Sequence, residues 1–241
     1  MLKPSCFDTN ENKAELMGSN TLWTFRTRFA PKKSDFTRRE WEIIQKHKTP
    51  ESVQTFLRSI RYNRETSGAT CYSFRRVLRE NRAHCLEGAL VAAVILEQHG
   101  YPPVVVSIES QDKLDHVLFL FKRGGLFGSV ARSRDIGLHG RKPVFRSVRD
   151  LVMSYFEPYI DTTARITGYG VTSLYDLGNY DWRFSVRNVF KVERHLQEIP
   201  HRVIHSSDDR FDKVRRRYLK FHEMHPDRSP DYFSNRAQWL P

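Results

Sequence analysis

The chain has 241 residues, 39% of them apolar, which is enough to bury a core of ordinary size and excludes a miniature scaffold. Its 40 basic against 28 acidic side chains leave a formal charge of +12, and three cysteines (Cys6, Cys71, Cys85) are too few and odd in number for a disulfide framework. The longest aliphatic run, Ala89 to Leu96, falls far short of the ~20 residues a spanning helix needs, and "MLKPSCFDTNENK" is too polar for a secretory signal, so a soluble cytoplasmic protein with no membrane contact is expected.

Residues 1–20 read as a loose polar tail, 21–160 as a core with preceding helices, and 161–241 as a helical and loop elaboration packed on that core. "TLWTFRTRF" reads as a strand or buried extended piece. In "SDFTRREWEIIQKHK", Ser34 or Thr37 caps a helix that ends before Pro50. A further helix begins at Pro50 and sets Val53, Phe56, Leu57 and Ile60 on one face.

From Cys85 to Gln98 the chain is apolar almost all round, the pattern of a helix buried in the middle of a domain. Gly100 is a left-handed terminator and Pro102-Pro103 forbid continuation. Three strands follow, at 104–108, 115–121 and 126–132. A helix of about fourteen residues is roughly 21 Å long, and a strand of five to seven residues spans about as far. A first strand running back along the helix therefore brings the 109–114 loop to the helix amino end, with His116 beside Cys85. Pairing residue 121 with 126 then sets residue 131, within one position, opposite His116.

A helix amino end favours a thiolate, and a neighbouring imidazole can take the proton, so this corner suits nucleophilic cysteine chemistry. The alternative is that Cys85 is simply a small buried hydrophobe. The stretch "HCLEGALVAAVILEQHGYPPVVV…DHVLFLF…GGLFGSV" resembles the transglutaminase-like superfamily over about residues 70–135. The resemblance implies an α+β fold with a papain-like core of a central helix followed by an antiparallel sheet. It further implies amide hydrolysis or acyl transfer on a peptide or protein substrate, with Cys85 as nucleophile and His116 as general base. The family's His-orienting Asp falls on Ala131, four residues after the aromatic Phe127, and an alanine cannot accept the imidazole N–H. Ser129 and Ser133 share strand parity with residue 131, so either is a candidate partner for His116; Asp135 just beyond is a third.

Arg82 and His84 are placed to line the cleft, Glu87 suits the first turn of the helix, and Asp115 belongs on the opposite sheet face in a turn role. Arg132, Arg134, Arg141 and Lys142 form either a basic rim or a solvated loop. His195, His201 and His205 lack metal-ligand spacing, and no glycine-rich phosphate loop occurs, so no metal or cofactor is expected. Beyond the core, one helix runs through Tyr155 to a stop near Pro158, "TGYGV" is loop or short strand, and another helix covers about Ser185 to Glu198. The aromatics from Phe156 to Trp182 pack the core or line a groove. Three functions fit these features. The first is a cysteine-dependent amidase, peptidase or acyltransferase. The second is a catalytically silent module that keeps the cleft for a peptide or protein, for which Ala131 speaks. The third, nucleic-acid binding, rests on net charge alone.

Overall fold

The apolar run after Cys85 is helical in a computed structural model that describes residues 30–113, 115–228, 230, 232 and 233. The loose tail, the "TLWTFRTRF" piece and Cys6 lie outside the described residues. These fold as α+β, with eight helices and a six-stranded antiparallel sheet. Helices α1 (Arg38–Lys46) and α2 (Pro50–Ser59) come first. Of the two candidate caps, Thr37 closes α1: its side chain accepts from Glu40 N–H while the Glu40 carboxylate accepts from Thr37 N–H.

Next are β1 (Arg61–Tyr62), α3 (Phe74–Glu80), β2 (Arg82–Ala83) and the central helix α4 (Cys85–Glu97). Every residue of α4 from Leu86 onward is buried, which is why its sequence shows no polar face. Gly100 leaves it at φ +88°. Then come β3 (Val104–Ser110), β4 (His116–Arg123), β5 (Leu126–Val130), β6 (Arg141–Phe145), α5 (Val148–Met153), α6 (Phe156–Tyr159), β7 (Ile166–Ser173), α7 (Phe190–Glu198), β8 (Arg202–Val203) and α8 (Asp208–Met224). The sheet order is β6-β5-β4-β3-β7-β8.

Alternation along the strands builds two cores. Val105, Val117, Phe119, Phe121 and Val130 meet α4 and the helices around it. Val104, Val106, Ile108, Leu118 and Leu120 face α5, α6 and α8 across the other side. Trp182 is wholly buried in the first core, and Phe156, Tyr159 and Tyr169 are buried in the second, so these aromatics pack the interior, with Tyr159 also lining a cleft. Among the described residues no helix is long and apolar enough to cross a membrane.

Four local expectations differ from the structure. Gly124 and Gly125, both at positive φ (59° and 82°), make a two-residue turn, so β4 runs on to Arg123 and residue 121 pairs with 128, not 126. Carried forward, that register sets Ser133, not Ala131, level with His116, although the ladder itself ends at the Phe119–Val130 pair. "TGYGV" belongs to an eight-residue strand paired along β3. Its glycines weaken the strand pattern, yet a side chain at Gly168 or Gly170 would collide with the Glu109 carboxylate or Ile199. The stretch expected to be one helix through Tyr155 opens with strand β6, continues as α5 and ends in α6 after Tyr155, with Pro158 inside α6. Finally, α7 starts at Phe190 instead of about Ser185, whose hydroxyl is engaged in a local turn at Arg187.

Candidate active site

Asn81, in the left-handed conformation, stops α3 and turns the chain into β2, which delivers His84 and Cys85 to the mouth of α4. Glu87, one turn into the helix, has a wholly buried side chain and ties this start down. Its carboxylate accepts from His84 N–H (2.9 Å), Tyr72 N–H (2.8 Å), the Thr70 hydroxyl (2.8 Å) and the Asn63 amide (3.0 Å). A residue read as merely suited to a first turn is therefore the hub joining the 63–72 loop to the helix.

His116 opens β4 and is 4% exposed. Its Nε2 lies 2.9 Å from the Leu138 carbonyl oxygen, and because a carbonyl can only accept, Nε2 carries a proton. Nδ1 is then the ring nitrogen left to act on Cys85, whose pKa His116 lowers, while the thiol S–H is directed at the Asp115 carbonyl (3.8 Å). The rings of Tyr155 and Tyr159 flank His116 at 6.1 and 6.5 Å. On the other side of the thiol, His84 places Nε2 3.0 Å from the Thr70 carbonyl, 3.4 Å from Glu87 and 3.9 Å from Glu65.

Cys85 thus sits half-buried between two imidazoles. Burial raises its pKa, but the hydrogen bonds and charge of His116 and His84 outweigh this and bring the thiol from the ordinary 9.0 to about 5. Burial lowers the His84 pKa, while Cys85, Glu87 and the Thr70 carbonyl raise it further, to about 9. The favoured state is a thiolate beside an imidazolium that is itself backed by carboxylates. Cys71 is the opposite case. It is wholly buried, its S–H is directed at the Val189 carbonyl, and burial with nearby Glu87 pushes its pKa up.

Cys85, His84, His116, Tyr62, Thr70 and Tyr159 line a cleft of about 780 Å³. Burial and the nearby thiol raise Tyr62 to about 12, so its hydroxyl stays protonated as a potential donor. The structure brings Cys85 and His116 together but places the candidate His partners elsewhere. Ser129 shares its hydroxyl with Tyr155 (2.8 Å) and accepts from Arg141 N–H. The Ser133 hydroxyl accepts from Asp135 N–H in a local turn, although both residues line the cleft. Ala131 is buried among apolar side chains, with its N–H and C=O both bound by the Gln54 amide. Asp115 takes a turn role, accepting from Ser110 N–H, but it is not turned away from the site as expected: it lines the cleft, and its carbonyl accepts from the Cys85 thiol at 3.8 Å.

Of the proposed basic rim, Arg134 is exposed on the cleft but Arg141 is completely buried. The Arg141 guanidinium donates to the carbonyls of Gly137 (2.7 Å) and His139 (2.6 Å), on either side of Leu138, and stacks on Tyr155 at 3.7 Å. It braces the loop whose carbonyl holds His116. The sequence reading missed Leu138, Gln54 and Arg141 in these roles, and a backbone carbonyl leaves no signature in a sequence. Among the described residues no group of three or more His, Cys, Asp or Glu side chains is placed to hold a metal; His195 bonds Thr172 and His201 bonds the Ile199 carbonyl. No family model matches the chain, and a search of curated proteins finds no significant match.

Proposed function

We propose that the protein is a cysteine-dependent amidase, peptidase or acyltransferase built on a transglutaminase-like core. The observation that carries this reading is the thiol of Cys85 at a helix amino end in an open cleft that His116 and His84 also line, two imidazoles that together lower its pKa. The order of helix and antiparallel strands, with Cys at the helix start and His at the start of the second strand, supports the family resemblance.

In this mechanism the Cys85 thiolate attacks the substrate carbonyl. First-turn N–H groups of α4, which have no partner within the helix, receive the developing oxyanion. His116, which takes the Cys85 thiol proton on Nδ1 to generate the attacking thiolate, gives it to the leaving amine as the tetrahedral intermediate collapses to a thioester. Neutral His116 next takes a proton from water or from an acceptor amine, which attacks the thioester and frees Cys85. Leu138 fixes the ring through Nε2 but brings no charge; Glu87 and Glu65, acting through His84, supply the negative field that sustains an imidazolium beside the thiolate.

Because His116 leans on a carbonyl instead of a carboxylate, the same cleft also suits a module that binds peptide without turning it over. A p-nitrophenyl ester separates the two. The enzyme forms an acyl adduct on Cys85, detected by mass spectrometry, that decays with release of free acid or transfer to an added amine. Cys85→Ser forms none. A wild-type protein that never acylates at Cys85 refutes the enzyme; an adduct that never decays favours the binding module.

A further inference from the structure

The segment from Arg61 to Thr70 is a wall with a hollow on each side. One side is the Cys85 cleft; the other is a smaller pocket of about 430 Å³ lined by Arg61, Tyr62, Asn63, Arg64, Thr66, Glu80 and Arg82. Tyr62 and Arg64 line both.

The smaller pocket holds an unbalanced cluster of positive charge. Strands β1 and β2 pair in parallel with Arg61 directly opposite Arg82, and like charges in that relation destabilise a ladder. This ladder is only two residue pairs long, so few other bonds offset the repulsion. Among the described residues neither guanidinium is paired with a carboxylate. Arg61 Nε reaches the Asn81 carbonyl at 3.5 Å, and Arg82 donates to the Tyr72 hydroxyl at 3.0 Å. Arg82 Nε is buried with no hydrogen-bond partner among the described residues. The lone acid, Glu80, is engaged by Arg79 at 3.1 Å.

We propose that the pocket between β1 and β2 binds a phosphate-type oxyanion, held by Arg61, Arg64 and Arg82. A tetrahedral dianion accepts from several guanidinium forks at once, and it would cancel the cross-strand repulsion between Arg61 and Arg82. The oxyanion arrives either as free phosphate or as the charged end of a molecule whose carbonyl extends past Tyr62 to Cys85. The second source rests on the reading of Cys85 as a nucleophile; the pocket itself does not.

Calorimetric titration of the full chain with inorganic phosphate at low salt tests the site. Wild type and Cys85→Ser should bind alike, while Arg61→Gln and Arg82→Gln should each weaken binding by about tenfold or more, the loss expected of a charge-assisted contact. Arg61 is exposed, so its variant should fold and, in phosphate-free buffer, melt no lower than wild type because a repulsion has been removed. No binding by wild type, binding unchanged in both variants, or a lower melting temperature for Arg61→Gln without phosphate would each overturn the proposal. A phosphorylated p-nitrophenyl ester and its neutral analogue then separate the two sources. Faster Cys85 acylation by the charged ester in wild type but not in Arg61→Gln assigns the oxyanion to the substrate, and equal rates assign it to free phosphate. If neither ester acylates Cys85, the catalytic reading fails while the titration still decides the pocket.

Discussion

Thiol reactivity at acid pH is the sharpest test of the Cys85 environment, and reactivity at neutral pH is a poor one. An ordinary thiol at 9.0 is about 1% thiolate at pH 7 while Cys85, at about 5, is almost fully ionised, a hundredfold advantage in thiolate. Nucleophilicity falls as pKa falls, with a Brønsted slope of about 0.4–0.5, so a four-unit drop costs roughly 40- to 100-fold and nearly cancels the gain. At about pH 5.5 the balance changes. Cys85 is still about three-quarters ionised while the ordinary thiol is at ~0.03%, so Cys85 should react roughly 25 to 60 times faster. The assay is the rate of reaction with a neutral aromatic disulfide across the pH range, with peptide mapping to confirm the site. The profile should rise through an inflection near 5 and then stay flat to neutral pH, and Cys71 should stay silent in the folded protein. His84→Ala and His116→Ala should each move the inflection up by roughly 1–3 pH units, the usual effect of removing a nearby opposite charge. A wild-type inflection at 8 or above, or one that ignores both histidines, would refute the two-imidazole account.

Ala131→Asp restores the residue expected from family resemblance, but here it places a carboxylate in the buried apolar core that Ala131 belongs to. It should lower stability by several kcal/mol, on the order of an uncompensated buried charge, and leave the Cys85 pH profile unchanged, as judged by denaturant melts and the disulfide assay; a gain in low-pH reactivity would show that residue 131 does reach His116. Arg141→Met strips the donors from the Gly137 and His139 carbonyls and should cost about 3 kcal/mol or more. Because those bonds flank Leu138, it should also raise the Cys85 inflection, whereas a purely structural arginine would change the melt alone.

Much of the central architecture was legible because it is written locally. The uninterrupted apolar run from Leu86, the stop at Gly100 and the alternating strands specify a buried helix and an antiparallel return, and element lengths alone suffice to bring His116 to Cys85. His84 was legible as a residue lining the cleft, but not as a charged neighbour of the thiol. Its charge depends on Glu65, Glu87 and the Thr70 carbonyl, which a loop and a helix turn bring to it. The β4–β5 register hung on whether Gly124-Gly125 forms a two-residue turn or part of a longer loop, a choice of backbone dihedrals that shifts the partner of His116 by two positions. Strand β7 was obscured by glycines that are there so that Glu109 and Ile199 can approach its backbone. The central helix with Cys85 at its start, and the arrival of His116 in the same cleft, thus followed from residue type and spacing. The group that orients His116 was decided by tertiary structure alone, because every residue has a carbonyl, and only the Arg141-braced loop puts that of Leu138 2.9 Å from Nε2.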